Sequence, residues 1–145
     1  MKPGLEAGQT AQLELTTTAE MRAQFGGVTV HDLFSTSALV HHMEWAARKT
    51  ILPYLEPHEE GMGSHVEVFH LSFTPCGWNV LIRATVTEVR DRKIVCEVEA
   101  FNARGKIARG KVTQSIVERG WLEEKLSQMK VLEGIAPGQK ITCKS

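Results

Sequence analysis

The run Phe34-Ser35-Thr36-Ser37, continuing through His41-His42-Met43-Glu44-Trp45-Ala46 and closing at Pro53-Tyr54-Leu55-Glu56-Pro57, decides how this chain folds. From Ser37 onward Leu39, Met43, Ala46, Ala47 and Ile51 recur at helical spacing, which predicts one long helix with a single apolar stripe. Ser35, Thr36 or Ser37 can cap its start, because a short hydroxyl accepts from the unpaired N–H groups of a first turn. Pro53 ends the pattern, since proline has no N–H with which to continue the ladder.

Ahead of this helix Ala11-Gln12-Leu13-Glu14-Leu15-Thr16-Thr17-Thr18 alternates weakly, predicting one opening strand and then an irregular stretch through Gly26-Gly27. Behind it, after the turn-rich Glu56-Pro57-His58-Glu59-Glu60-Gly61, come four strand-like runs: His65 to Thr74, Asn79 to Val89, Ile94 to Asn102 and Ile107 to Glu118. Pro75-Cys76-Gly77, Arg90-Asp91-Arg92-Lys93 and Ala103-Arg104-Gly105-Lys106 read as hairpin connections, so consecutive strands are expected to pair antiparallel. One strand, one helix and an antiparallel meander make an α+β plan in which the sheet wraps the helix. Trp121-Leu122-Glu123-Glu124-Lys125-Leu126 to Met129 predicts a short amphipathic helix, and Ile135-Ala136-Pro137-Gly138-Gln139-Lys140 an irregular end. Residues 1–119 are therefore expected to form one domain, and 120–145 a C-terminal extension.

With 145 residues the chain is long enough for one core to fold without disulfides or metal. Its 17 basic and 17 acidic side chains cancel, which argues against nucleic acid or an anionic membrane as partner. Cys76, Cys96 and Cys143 are odd in number and widely separated, as expected of reduced thiols in a cytoplasmic protein. No stretch approaches the ~20 apolar residues of a membrane span.

Three side chains carry the chemistry. Glu44 lies on the flank of the apolar stripe, where partial desolvation would push a carboxylate toward the working range of a general base; its ordinary alternative is an i,i+4 pair with Arg48. Thr36 stands at the helix start, beside first-turn N–H groups that can stabilise developing negative charge, with capping as the ordinary alternative. Ser35 and Ser37 compete for the same position. His70 falls on the strand face that carries Val66 and Val68, where a histidine is either a satisfied core residue or an acid/base group. Gly63, lacking a Cβ, permits close backbone approach to a ligand. His41-His42-Met43-Glu44 lacks the His-Glu-x-x-His spacing of a zinc helix, so no metal is expected. Arg104, Lys106, Arg109 and Lys111 form either a solvated hairpin or a patch for coenzyme phosphates.

Hydroxyl, carboxylate and imidazole are the parts needed to attack an activated acyl group. Met43-Glu44-Trp45-Ala46, Pro53-Tyr54-Leu55-Glu56-Pro57, the Gly63 to His70 interval and Thr74-Pro75-x-Gly77 occur together in the order and spacing of a known family. From Lys2 to Val117 the sequence resembles the fluoroacetyl-CoA thioesterase type of hotdog-fold thioesterases. The resemblance implies a hotdog fold and hydrolysis of a small acyl-CoA, with Thr36, Glu44 and His70 at the catalytic positions and Gly63 offering its N–H to the acyl group. It implies no cofactor, and a homodimer or higher oligomer with sites at the subunit interface. A hotdog protein that binds acyl-CoA without cleaving it is the alternative, and a hydratase is disfavoured by the lack of an Asp-x4-His motif. Before the helix, where the fluoroacetyl-specific type is richer in phenylalanine, this chain has Phe25-Gly26-Gly27-Val28-Thr29-Val30, so the acyl pocket is expected to differ there.

Overall fold

The computed structural model describes residues 1–134. The irregular end expected from Ile135 to Lys140, and Cys143, lie outside the described residues. The order is β1 (Thr10–Thr16), β2 (Arg22–Phe25), β3 (Val28–Phe34), α1 (Thr36–Ile51), β4 (Glu59–His70), β5 (Asn79–Arg90), β6 (Lys93–Asn102), β7 (Gly105–Glu118) and α2 (Arg119–Glu133). Five strands form one antiparallel sheet in the order β1-β5-β6-β7-β4, and β2 and β3 form a separate hairpin. The α1 helix lies across the sheet, so the expected α+β hotdog architecture is present.

The helix follows its sequence signals closely. Ser35 is the cap, its Oγ accepting from the Ala38 N–H at 3.1 Å. A short 3-10 turn at Leu52–Tyr54, carrying Pro53, ends it. Leu39, Met43, Ala46, Ala47 and Ile51 are fully buried. They meet the inward rows Val80, Ile82, Ala84, Val86 of β5 and Ile94, Cys96, Val98, Ala100 of β6, the period-2 faces that alternation requires. Each of the larger side chains contributes about 1.5–3 kcal/mol by leaving water. Cys96 is a packing residue: burial pushes its thiol up, and its Sγ lies 3.5 Å from the Thr50 hydroxyl.

The chain departs from the expected order in two places. First, the stretch expected to be irregular before the helix is the β2–β3 hairpin, turning at Gly26 and Gly27 with φ of 58° and 80°. Two residues at positive φ are what a tight hairpin demands, and Gly-Gly between Phe25 and Val28 supplies them. Second, β4 starts at Glu59, earlier than expected, and pairs with β7 rather than β5, in register from Glu59↔Glu118 to His70↔Ala108. Pro75-Cys76-Gly77 is thus a crossover and not a hairpin. Its groups bond to the N-terminal part of the chain, Gly77 N–H to Thr17 O at 2.8 Å, with a bridge between Leu33 and Pro75. The consequence is that β4 becomes an edge strand, directly beside one flank of α1.

Candidate active site

The start of α1 is pinned on both sides. Phe34 is buried and its N–H donates to Thr74 O at 2.8 Å, while Ser35 N–H donates to Met21 O at 2.8 Å. Thr74 is itself held by Asn102, whose Nδ2 donates to its hydroxyl at 3.0 Å. This corner presents Thr36 to His70, the last residue of β4, with Thr36 Oγ1 2.8 Å from His70 Nδ1. Because Ser35 satisfies the Ala38 N–H, the Thr36 and Ser37 N–H groups are left without a protein partner among the described residues. They point where a helix N-terminus favours negative charge.

Thr36, His70, Ser35 and Ser37 line one cavity of about 270 Å³, walled by Phe25, Phe34 and Phe73. Ser35 Oγ is committed to the cap, and Ser37 Oγ lies 3.2 Å from it. Burial holds the His70 imidazole below its ordinary 6.5, with the Ser72 main chain pulling part of the way back. Its Nε2 is buried without a partner.

His70 is therefore neutral at pH 7, and the sign of its linkage follows. The unfolded chain takes up this proton at higher pH than the fold does, so the stability is complete above about 6.5 and is lost as pH falls through the lowered value. An NMR titration of the ring is expected to give a midpoint below 6.5 in the folded protein, and a midpoint at or above 6.5 contradicts the burial argument.

Glu44 occupies a second cavity of about 430 Å³, lined also by His41, Trp45, Arg48, Gly61, Gly63 and Gln114. It stands two turns along α1 from Thr36, roughly 12 Å down the axis. Its half-buried carboxylate lies over Gly63 so closely that a Cβ there would sit 2.4 Å from Oε1. The Glu44–Arg48 pair, the ordinary alternative for this side chain, does not form among the described residues. Arg48 turns to Glu60 instead, Nη2 donating to Oε1 at 2.7 Å and Nη1 to Gly61 O at 3.2 Å. The Arg48 guanidinium holds the Glu60 carboxyl below the usual carboxylate range, and Arg119 adds a second contact at 2.9 Å.

Within one chain, then, the structure joins Thr36 to His70 and Glu44 to Gly63, but sets the two pairs in different cavities. Gln114 was not legible in the sequence as a member of either. It stands directly across the ladder from Gly63, is 2% exposed, and its amide makes no hydrogen bond among the described residues. Only the β4–β7 register reveals it. A further cavity of about 670 Å³, around Trp78 and Phe101, contains none of these groups.

The remaining candidates are accounted for elsewhere. His42 is a core histidine bonded to Ala38 O at 2.7 Å. His58, Glu59 and Glu118 cluster, but the Arg92 guanidinium bridges the two carboxylates at 3.0 and 3.3 Å, where a cation would bind. Of the four basic residues near the β6–β7 turn, Lys106 pairs with Glu99 and Arg109 lies 4.4 Å over the Phe69 ring. No helix among the described residues is long and apolar enough to cross a membrane.

Comparison with known proteins identifies the family and the fold. Residues 17–120 match the model of the fluoroacetyl-CoA-specific thioesterase (FlK) family. The fluoroacetyl-CoA thioesterase of Streptantibioticus cattleyicolor is 30% identical over 97 residues, 67% of this chain and 70% of that protein. A Thermus thermophilus thioesterase superfamily member superposes with a TM-score of 0.87 at 33% identity, covering 92% of this chain and 99% of its own. The fluoroacetyl-CoA thioesterase FlK superposes with a TM-score of 0.80 at 24% identity, covering 86% of this chain and 97% of its own, a likeness of fold.

Proposed function

Because the chain belongs to the fluoroacetyl-CoA-specific thioesterase family and is a thioester hydrolase, we propose that it cleaves a small acyl-CoA to the free acid and CoA using Thr36, His70 and Glu44. The observation that carries this reading is the 2.8 Å contact between the Thr36 hydroxyl and His70 on the first turn of α1. In the tautomer with the proton on Nε2, Nδ1 accepts from Thr36 and fixes its hydroxyl beside the thioester carbonyl. Glu44 takes a proton from water, whose oxygen adds to the carbonyl carbon. The free N–H groups of Thr36 and Ser37, with the Gly63 N–H as a further donor, meet the oxyanion; the C–S bond then breaks and the CoA sulfur leaves with a proton. The Gln114 amide faces the same cavity as Glu44 and supplies a hydrogen-bonding arm for the water or the acyl group.

The two half-sites become one when a second copy docks on β4. That edge exposes Met62, Val66 and Phe69 beside the half-exposed Trp45 of α1, a surface an isolated strand would blunt with charge or proline. In the homodimer the Glu44 cavity of one protomer faces the Thr36–His70 corner of its partner, and the β2–β3 hairpin, with its exposed Phe25, Val28 and Val30, covers the acyl end. The reading is tested by free-thiol release from a panel of short, branched and aromatic acyl-CoAs. Release that is fastest for short chains is expected. A protein that binds these thioesters and frees no thiol contradicts the proposal.

A further inference from the structure

Four residues apart on a helix, Glu44 and Arg48 have the spacing and order that ordinarily make an ion pair. They do not pair here, and the reason is a neighbouring strand. Both terminal nitrogens of Arg48 are taken on β4, by the Glu60 carboxylate at 2.7 Å and the Gly61 carbonyl at 3.2 Å. Glu60 is in turn fixed by its other contacts, the Gly61 N–H at 2.9 Å on one oxygen and Arg119 at 2.9 Å on the second. Both members of the Arg48–Glu60 pair are more buried than exposed, with side-chain exposures of 35% and 24%, so the contact is only partly screened by solvent.

We infer that Glu60 is a positioning residue for hydrolysis: by holding Arg48 against β4 it keeps the guanidinium off Glu44 and leaves that carboxylate free to work on water. The inference rests on the role proposed above for Glu44. A carboxylate gripped by a guanidinium has its lone pairs occupied and its negative charge stabilised, and it takes a proton from water less readily. Released from Glu60, Arg48 retains a single carbonyl partner, and Glu44 is the carboxylate one turn away on the same flank of the helix.

The experiment is steady-state thiol release by the full chain carrying Glu60→Ala, Glu60→Gln, Arg48→Met, or Glu60→Ala with Arg48→Met, with Glu44→Gln assayed alongside. Glu60→Ala is expected to lower kcat about tenfold with KM little changed, and Glu60→Gln, which keeps the shape without the charge, to lower it less. Adding Arg48→Met to Glu60→Ala is expected to restore kcat to that of Arg48→Met alone, and high salt to restore part of the Glu60→Ala loss by screening the new pair. A structural role for Glu60 would give neither recovery. Should Glu60→Ala fail to fold by circular dichroism, Glu60→Gln with and without Arg48→Met carries the same test. An unchanged kcat, or a double variant no faster than Glu60→Ala, overturns the inference. Glu44→Gln at wild-type rate instead overturns the role of Glu44 itself.

Discussion

Glu44→Gln is expected to lower the turnover of thiol release about 10²–10⁴-fold while leaving KM and the fold close to those of the parent. The expectation follows from what surrounds the side chain. Glutamine fills the same space over Gly63, so no cavity or clash is created. No cation is paired with Glu44 among the described residues, so removing its charge leaves no partner stranded. What disappears is the proton acceptor that the proposed reaction requires. Kinetic constants from the acyl-CoA panel, beside a thermal melt, check both halves: a loss of stability matching the loss of rate would assign Glu44 to the fold rather than the reaction.

Gly63→Ala is expected to cost about 10²-fold in kcat with little loss of stability, and Gly61→Ala to do the reverse. The two glycines face the same way on β4 and look equivalent in the sequence. A Cβ on Gly63 would meet Glu44 Oε1 at 2.4 Å, and a Cβ on Gly61 would meet Ile51 Cδ1 at 2.4 Å. The carboxylate is the far end of a flexible chain and can swing aside, which relieves the clash but moves the proposed proton acceptor by about an ångström or more. Ile51 Cδ1 is also a side-chain end, but it is fully buried in a close-packed core, so making room there costs about 1–3 kcal/mol of stability. Urea denaturation and thiol release on both variants separate the outcomes. Equal effects on stability would contradict the position assigned to the Glu44 carboxylate.

Local signals in this chain were legible and long-range partners were not. The apolar spacing, the Ser35 cap and Pro53 give α1 almost to the residue, and alternation gives the inward rows of β5 and β6. The β2–β3 hairpin was hidden because Arg22–Phe25 is too short for alternation to register, although Gly26-Gly27 carried its turn. The pairing of β4 with β7 was hidden for a different reason, since tight turns signal only neighbours in sequence and this pair closes across two intervening strands. The same limit governs the site. Thr36, His70, Glu44 and Gly63 could be picked out by residue type and spacing, whereas Gln114 opposite Gly63 and Glu60 beside Arg48 acquire meaning only from the β4 register.

The claim at the centre of this account is that a hydrolytic site is assembled from the Thr36–His70 corner of one chain and the Glu44 cavity of another. Co-expression of the Thr36→Ala chain with the Glu44→Gln chain tests it directly. Each variant alone is expected to be nearly inactive. In a two-fold dimer with shared sites, a mixed pair has one site carrying both defects and one carrying neither, so random mixing restores about a quarter of the parental thiol release. A mixture no more active than its components would place Thr36 and Glu44 in a site of a single chain and contradict the account.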